Sequence, residues 1–312
     1  MVSGRHPTVL RTGSVALVAA VVCAGVVAAG ADATGVPRAP QAPQAPQTMT
    51  RSVFVAVTDS KGAPVLDLTP ADVTIKEDGK AREITKVERA AGPLTIALLI
   101  DDNGVGANDA RVAVAGFLQR LRGLAEISLG TTAGQHVTRV NYTTDFEAQV
   151  AVVRQLYTRP PAPGGALLDA IVDASKSLQA RKAARPNIVA MAFGSEESNN
   201  IRQDRVLDQL QQSGSALHVI SMSKPNTTPG LDENMNRNKV LGDGPKQSGG
   251  RYEEMVASAG LTKALQLVAD DLLSQYQVSY TLPAGVSPSG KIVVAVNRRG
   301  VTFRAPTRVP ER

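Results

Sequence analysis

One stretch of the chain limits the possible folds more than any other: residues 94–106, which read LTIALLIDDNGVG. Its first seven residues are apolar or β-branched without alternation, which is typical of a strand buried on both faces in a parallel sheet. The run ends abruptly in Asp101, Asp102 and Asn103. Ligands of open α/β sheets bind at the carboxyl ends of strands, so these residues are candidates for a functional site. An acid after a strand also serves as a helix cap or a solvated turn, and that alternative stays open.

Strand and helix patterns alternate from residue 94 onward. Further strands are predicted at residues 127–129, 137–142, 188–193 and 216–222, and helices at residues 109–122, 147–157, 166–182, 201–212 and 261–275. This order predicts an α/β fold with a doubly wound, mostly parallel sheet. Residues 224–250 are rich in Asn, Gly and Pro and lack periodicity, so we predict a long loop there.

Both flanks of this region have strand character. Residues 51–58 alternate as a half-buried strand does, and two strands at 72–76 and 81–88 are joined by Asp78-Gly79, a hairpin signal. Strand patterns return at 277–282, 291–297 and 301–303 before an arginine-rich end. The simplest packing places both flanks in one small β element.

The first residues have the pattern of an export signal. Arg5 and Arg11 precede an apolar core at 15–29, and small residues near Ala31 fit a cleavage site. A retained membrane anchor is the alternative, although the run is short for a span. The predicted organisation is a signal peptide (1–31), a Pro/Gln/Ala-rich linker (32–50), an N-terminal β segment (51–92), an α/β domain (93–275) and a C-terminal β segment with a basic tail (276–312). We therefore expect an exported protein, periplasmic or secreted.

Composition argues against two function classes. The net charge of +6 falls to +4 without Arg5 and Arg11, and 3% aromatic residues show no interleaving with basic ones, so nucleic-acid binding is not expected. The single cysteine, Cys23, lies in the export signal, so the remaining chain has no thiol nucleophile or thiolate metal site. His136 and His218 lie on predicted strands beside no recognisable nucleophile. These observations predict a protein that is not an enzyme.

The order of the segments resembles the von Willebrand factor type A domain, and most of all the bacterial exported subfamily with short flanking β segments. The motifs that carry the resemblance are, in order, VAVTDSKGAPVLDLTPADVTIKEDGK, LTIALLIDDNG, GGALLDAI, RPNIVAMAFGSEESN, SGGRYEEM and VADDLLSQYQVSYTLP. They extend along nearly the whole chain after the linker. The resemblance implies a Rossmann-like α/β domain that binds its partner through the strand-end loops.

The resemblance also implies a cation site. Family members commonly hold a divalent cation through an Asp-x-Ser-x-Ser loop, a Thr from a second loop and an Asp from a third, with one position open for a carboxylate of the partner. Asp101 matches the first Asp, and Asn103 stands at the first Ser and still offers an oxygen. Val105 stands at the second Ser and offers none.

The other two loops depart further from the family pattern. Gly165 or Ala166 stands where the Thr would be, and Phe193 or Gly194 stands where the last Asp belongs. Three of the five ligand positions therefore lack a suitable oxygen. We predict a degenerate metal-adhesion site without a cofactor, with a divalent cation such as Mg²⁺ not expected and Asp101 and Asn103 as the only weak metal candidates.

The sequence thus favours an exported, non-enzymatic module that binds a protein partner in the cell envelope or outside the cell, with membrane contact only through an uncleaved signal segment. The predicted contact residues are Asp101, Asp102, Asn103, Gly164, Gly165, Ser195, Glu196 and Glu197. Three of them, Asp102, Glu196 and Glu197, could alternatively form a different acidic site. The second hypothesis is a structural scaffold of the envelope, which contacts partners through its β element or basic tail and in which the sheet edge is vestigial. An envelope hydrolase would need a nucleophile and a base that the sequence does not supply.

Overall fold

Strands make up most of both ends of the folded chain, with one short 3-10 helix at Pro70–Asp72, and alternating strands and helices make up its middle. A computed structural model describes residues 48–103, 106–158, 162–222 and 232–311. The N-terminal strands are β1 (Met49–Asp59), β2 (Val73–Glu77), β3 (Lys80–Arg82) and β4 (Ile84–Arg89). The middle contains β5 (Leu94–Ile100), α1 (Ala107–Arg120), β6 (Ala125–Thr131), β7 (Val137–Thr143), α2 (Phe146–Gln155), α3 (Leu167–Ala180), β8 (Arg185–Ala192), α4 (Gln203–Ser213), β9 (Ala216–Met222), α5 (Asp232–Ser248), β10 (Tyr252–Met255) and α6 (Leu261–Ser274). The C-terminal strands are β11 (Tyr276–Leu282), β12 (Ile292–Val296) and β13 (Val301–Arg304). The predicted export signal and most of the linker lie outside the described residues.

The middle of the chain forms a six-stranded sheet in the order β10-β9-β8-β5-β6-β7. Neighbouring strands are parallel except for β7, which pairs antiparallel with β6. Counted from β5, this is the doubly wound order 3-2-1-4-5-6. All seven residues of β5 are buried, as expected for a central strand covered on both faces. The predicted fold class is confirmed.

Helices cover both faces of this sheet. On one face α1 and α6 pack together, with Phe117 and Leu272 among the buried residues. On the other face α3, α4 and α5 enclose a second apolar cluster that includes Ile171 and Val240. None of the helices in the described part of the chain is both long and apolar enough to span a membrane.

The two flanks form a separate β element, as predicted. A four-stranded sheet, β13-β1-β11-β4, faces a three-stranded sheet, β12-β2-β3, and the core between them contains Val55, Ile75 and Val278. The predicted Asp78-Gly79 hairpin joins β2 and β3, and both residues have positive φ (52° and 73°), as a type I′ turn requires.

The prediction of a long loop at 224–250 is wrong for residues 232–248, which form α5, and residues 224–231 lie outside the described part of the chain. The sequence pattern does not predict this helix, because it contains two glycines and Pro245, which have low helix propensity. Packing overrides propensity here. A Cβ on Gly244 would lie 2.7 Å from Cδ2 of Leu217, so the glycine lets α5 approach β9 closely, and Val240 becomes fully buried.

The C-terminal segment is packed against the rest of the fold as far as residue 311, where the described residues end. Arg304 donates to Asp271 Oδ1 (2.5 Å) on α6, and Arg51 of β1 donates to the carbonyl oxygen of Pro310. Val309 is buried in the core of the β element. Removal of the last residues would therefore disturb the fold, so a loss of binding after such a deletion would not identify a contact surface.

One buried side chain, Arg185, holds both chain connections between the β element and the central sheet. Its Nη1 donates to the carbonyl oxygens of Ala90 and Gly92 (3.2 Å each), which lie between β4 and β5. Its Nη2 donates to Leu272 O (2.5 Å) in the last turn of α6 and to Gln275 Oε1 (2.9 Å), which lies between α6 and β11. Burial lowers the pKa of Arg185 to about 10, so the guanidinium keeps its charge at neutral pH.

Replacement of Arg185 should therefore weaken the whole fold. Arg185→Met leaves two buried and two part-buried acceptors without their donor, so we expect the free energy of unfolding to fall by about 2–4 kcal/mol in urea titrations. The matched control is Arg205→Met, at an exposed position on α4, which should stay within about 0.5 kcal/mol of the wild type. Equal stabilities of the two variants would contradict the role given to Arg185.

Candidate functional site

The predicted contact residues all lie at the carboxyl edge of the central sheet. Asp101, Asp102 and Asn103 follow β5, Gly164 and Gly165 precede α3, and Ser195, Glu196 and Glu197 follow β8. The neighbours β5 and β8 are the strands at which the order reverses, so the crevice between their ends is the topological switch point. Residues more than 90 positions apart meet there.

The carboxylate of Asp101 is the centre of this edge. Oδ1 accepts from the Ser195 hydroxyl (2.8 Å) and from the Asn103 backbone N–H (3.2 Å). Oδ2 accepts from the backbone N–H groups of Phe193 (3.2 Å) and Ser195 (3.1 Å). The residue is only 2% exposed. Asp101 therefore fixes the loop after β8, and its own surface is closed to a partner.

Asn103 connects a third segment to the same centre. Its amide Nδ2 donates to Ser195 Oγ and to the carbonyl oxygen of Ala162 (3.0 Å each), and its Oδ1 accepts from the Ala162 backbone N–H (3.0 Å). The side chain thus pairs with the backbone before α3 as another peptide group would. The segments that follow β5 and β8 and the segment that precedes α3 are joined through these contacts.

Gly164 and Gly165 allow the backbone of the third segment to approach closely. Gly164 has φ +68°, and a Cβ there would lie 1.9 Å from the Ser198 hydroxyl oxygen. Gly165 forms bridges with Ala133 on one side and Glu197 on the other, and its carbonyl oxygen accepts from the Ser198 N–H (2.8 Å). A side chain at either glycine would force these loops apart.

Glu197, in the loop after β8, is a buried acid whose side chain contacts the first turn of α3. Its Oε2 accepts from the backbone N–H of Leu168 (3.3 Å), so it caps a helix whose own N-cap, Ala166, has no capping side chain. Its Oε1 has no hydrogen-bond partner. Burial raises the pKa of Glu197 to about 7, and the hydrogen bond from Leu168 and the charge of Arg237 oppose that rise.

Several residues at this edge escaped the sequence-based prediction. Asn234 of α5 accepts from the Glu197 N–H (3.3 Å). Arg237, one turn further along α5, is buried, and burial lowers its pKa. The negative charges of Asp101 and Glu197 partly oppose that shift. Tyr157 donates its hydroxyl to the carbonyl oxygen of Asp101 (3.2 Å), and burial raises the pKa of that hydroxyl. The α5 residues were missed because their segment was predicted as a loop.

The two remaining acids of the edge differ in exposure: Asp102 is buried, whereas Glu196 is exposed to solvent. Asp102 is 8% exposed, and its Oδ1 accepts from the backbone N–H of Ala133 (3.4 Å) at the end of β6. Glu196 is exposed, as are Ser198 and Asn199 after it. The exposed part of the site is therefore the middle of the loop that Asp101 anchors.

Comparisons with known proteins give structural neighbours only. No protein-family model and no curated protein matches the chain. A von Willebrand factor type A protein from Catenulispora acidiphila is 9% identical, with a TM-score of 0.47, over 83% of this chain and 73% of its own length. The pilus adhesin SpaC from Lactobacillus rhamnosus GG is 10% identical, with a TM-score of 0.47, over 79% of this chain and 49% of its own length. This chain thus spans about half of the adhesin. The manganese-loaded TRAP protein of Plasmodium vivax is 13% identical, with a TM-score of 0.42, over 72% of this chain and 98% of its own length.

The doubly wound, mostly parallel sheet, with the motif-bearing loops gathered at one of its edges, is the arrangement that the sequence resemblance led us to expect. The fold thus resembles that of a von Willebrand factor type A domain. In this α/β domain, the segments that carry the recognised motifs after β5 and β8 and before α3 are the ones that Asp101, Asn103 and Ser195 join.

The residues at this edge do not fit the divalent cation that the type A fold implies. Both oxygens of Asp101 already accept hydrogen bonds from the protein, and the amide oxygen of Asn103 is bonded to Ala162. Ala166 and Gly194 have no side-chain oxygen to offer as ligands. Within residues 48–103, 106–158, 162–222 and 232–311, no three His, Cys, Asp or Glu side chains are grouped to hold a metal ion.

The raised pKa of Glu197 predicts a pH-dependent stability. Between its ordinary value of 4.5 and about 7, the folded protein binds a proton that the unfolded chain releases, so stability falls as the pH rises through this window. Glu197→Gln removes that loss. In urea titrations we expect the variant to be more stable than the wild type by about 3 kcal/mol at pH 8, and by less than about 1 kcal/mol at pH 5. Glu196→Gln, at the exposed neighbour, should change stability by less than about 0.5 kcal/mol at both pH values.

Loss of the Ser195 hydroxyl should loosen the loops. Ser195→Ala removes one donor to Asp101 and one acceptor of Asn103, so we expect a loss of about 1–3 kcal/mol and faster amide hydrogen exchange at residues 162–166 and 193–200. The control is Ser198→Ala in the exposed part of the loop. Unchanged exchange in Ser195→Ala would show that the hydroxyl does not hold the loops.

Proposed function

We propose that this chain is an exported, non-enzymatic module that binds a protein partner through the carboxyl-edge loops of its type A domain and needs no cation to do so. The observation that carries the proposal is the set of four hydrogen bonds to Asp101, which come from the residues after β5 and β8. In a protein interior, a buried carboxylate is stable only when it is paired or fully hydrogen-bonded. The hydrogen-bond donors of the loops stabilise the buried charge of Asp101, as a bound cation would otherwise do. They also hold the loops in one conformation, so the binding surface is preorganised.

The contact residues and the positioning residues divide by burial. Asp101 and Glu197 are buried, so in this proposal they hold the loops. Glu196 and the exposed residues next to it form the contact with the partner, together with the accessible parts of Asn103 and Gly164. An exposed carboxylate at the centre of the surface favours a partner that presents a basic group or hydrogen-bond donors there.

Export is proposed from the N-terminal sequence, since that segment lies outside the described residues. Arg5 and Arg11 before an apolar core support export to the periplasm or to the outside of the cell. The partner would then be a protein of the cell envelope or the exterior.

A non-enzymatic role is supported by the environments of the two histidines in the described structure. Burial lowers the pKa of His218 to about 4, and its Nδ1 accepts from the backbone N–H of Arg251 (3.2 Å), which makes it a neutral interior residue. His136 contacts Asp173 (3.3 Å) in the groove between β7 and α3, away from the carboxyl-edge loops. Neither histidine belongs to the candidate site.

Charge reversal at the exposed loop tests the proposed surface. The protein is immobilised and incubated with envelope extract from its own source, and captured proteins are identified by mass spectrometry. We expect Glu196→Lys to reduce capture of the specific partner at least about tenfold, because like charges meet across the interface. Glu83→Lys, at an exposed position beside β4, should capture as the wild type does. The scaffold hypothesis predicts the opposite order, with Glu196→Lys unchanged and Arg299→Glu, on the exposed β12–β13 turn, impaired.

Independence from a cation is tested on the same protein. A ligand that binds the folded state raises the melting temperature of the protein. If a cation is held at this edge, its removal by a chelator should therefore lower the melting temperature. We expect melting temperatures in EDTA and in millimolar Mg²⁺ or Mn²⁺ to agree within about 1 °C. A rise of several degrees with either ion, lost in Asp101→Asn, would mean that the site does hold a cation.

A further inference from the structure

A second candidate site lies at the opposite, amino-terminal edge of the central sheet. A partly enclosed cavity of about 230 Å³ opens there between the starts of β8 and β9, the ends of α4 and α5, and two parts of the β element. Those two parts are β1 and residues 306–310. The cavity shares no residue with the carboxyl-edge site.

The lining of this cavity is mainly apolar. Its walls are formed by Val53 and Phe54 of β1, Leu207 and Leu210 of α4, and Val309 near the C-terminus. Among the described residues that line it there is no Asp, Glu or Lys, and Arg308 alone is charged. Arg308 is already engaged, because its Nη1 donates to Gln211 Oε1 (3.0 Å). Such a lining favours an uncharged occupant.

A few polar groups converge on the same space. Asn187, at the start of β8, is 2% exposed and donates its Nδ2 to the carbonyl oxygen of Arg185 (2.9 Å). Gln211, Gln247 and Gln275 also line the cavity. A small number of fixed polar groups in an apolar pocket is the usual arrangement in binding sites for small molecules, since it orients the ligand.

The cavity is preformed, because backbone contacts hold its wall in place. The N–H groups of Thr307 and Arg308 both donate to the carbonyl oxygen of Gln247 (3.0 Å each), and the N–H of Val309 donates to that of Gly290 (3.0 Å). Gly249 has φ +79°, and a Cβ there would lie 2.6 Å from the backbone nitrogen of Pro306. The C-terminal segment is thus fixed against α5 and cannot collapse into the space.

The size of the cavity limits the ligand. An apolar cavity of about 150 Å³ holds one benzene ring, so a cavity of 230 Å³ takes a molecule of roughly nine or ten non-hydrogen atoms. We propose that this cavity is a binding site for a small, uncharged, mainly apolar molecule of about the size of a fused two-ring aromatic compound, with a single hydrogen-bonding group. The ligand contacts both the β element and the type A domain, so its binding stabilises their packing.

Indole is a suitable probe, with benzamidine, a cation of matched size, as the negative control. We expect saturable binding of indole in calorimetric titrations and a melting temperature that rises with indole concentration, and neither effect with benzamidine. In two-dimensional NMR spectra, indole should shift amide signals of residues 183–187, 213–216 and 306–310, and should leave those of residues 101–103 and 193–198 unchanged. This mapping locates the site without any substitution.

A cavity-filling variant provides the second test. Ala216→Leu places a larger side chain in the cavity, so we expect the affinity for indole to fall about tenfold or more. Ala151→Leu makes the same change at an exposed position on α2 and should bind as the wild type does. Melting curves without indole show whether each variant is folded. Absence of saturable binding, NMR shifts confined to another region, or equal affinities of folded Ala216→Leu and the wild type would each overturn the proposal.

Discussion

The buried carboxylate of Asp101 is the interaction on which the binding edge depends. A charge that is 2% exposed needs hydrogen-bond donors, and the protein brings them from residues 193–195 across the switch point. Because two of these donors are backbone N–H groups, they determine the path of the chain after β8 directly. Asn103 and the two glycines before α3 then extend the same constraint to a third segment. The edge is therefore a network of hydrogen bonds centred on one acid.

The rest of the molecule places this acid and supports it. The fully buried strand β5 ends at Asp101, and helices on both faces of the sheet keep that strand central. At the other end of the sheet, Arg185 binds the two connections to the β element, and Asp271 accepts from Arg251 and Arg304. Partners of opposite sign or carbonyl oxygens compensate these buried charges, which are costly when unpaired. The proposed small-molecule cavity lies at that second end, where the β element packs on the type A domain.

Much of this arrangement could be predicted from the sequence. An uninterrupted apolar run predicted β5, the Asp78-Gly79 pair predicted a hairpin, and periodic apolar residues predicted α1, α3 and α6 within about two residues of their bounds. Local patterns did not reveal α5, because its glycines permit a tertiary contact with Leu217 that no local pattern records. Local patterns also did not reveal that the Asp101 carboxylate is buried and hydrogen-bonded within the protein, and so is inaccessible to a partner. Three of the four hydrogen bonds to Asp101 come from residues 92 and 94 positions away, and sequence spacing contains no information on such pairings.

The most direct test of the account is a double-mutant cycle between Asp101→Asn and Ser195→Ala, with the free energy of unfolding measured once in EDTA and once in millimolar Mg²⁺. If the hydroxyl of Ser195 and the loop donors replace the cation, the two substitutions are coupled by about 1–2 kcal/mol and the coupling is the same in both solutions. Additive effects in EDTA, or a coupling that arises only when Mg²⁺ is present, would contradict the account.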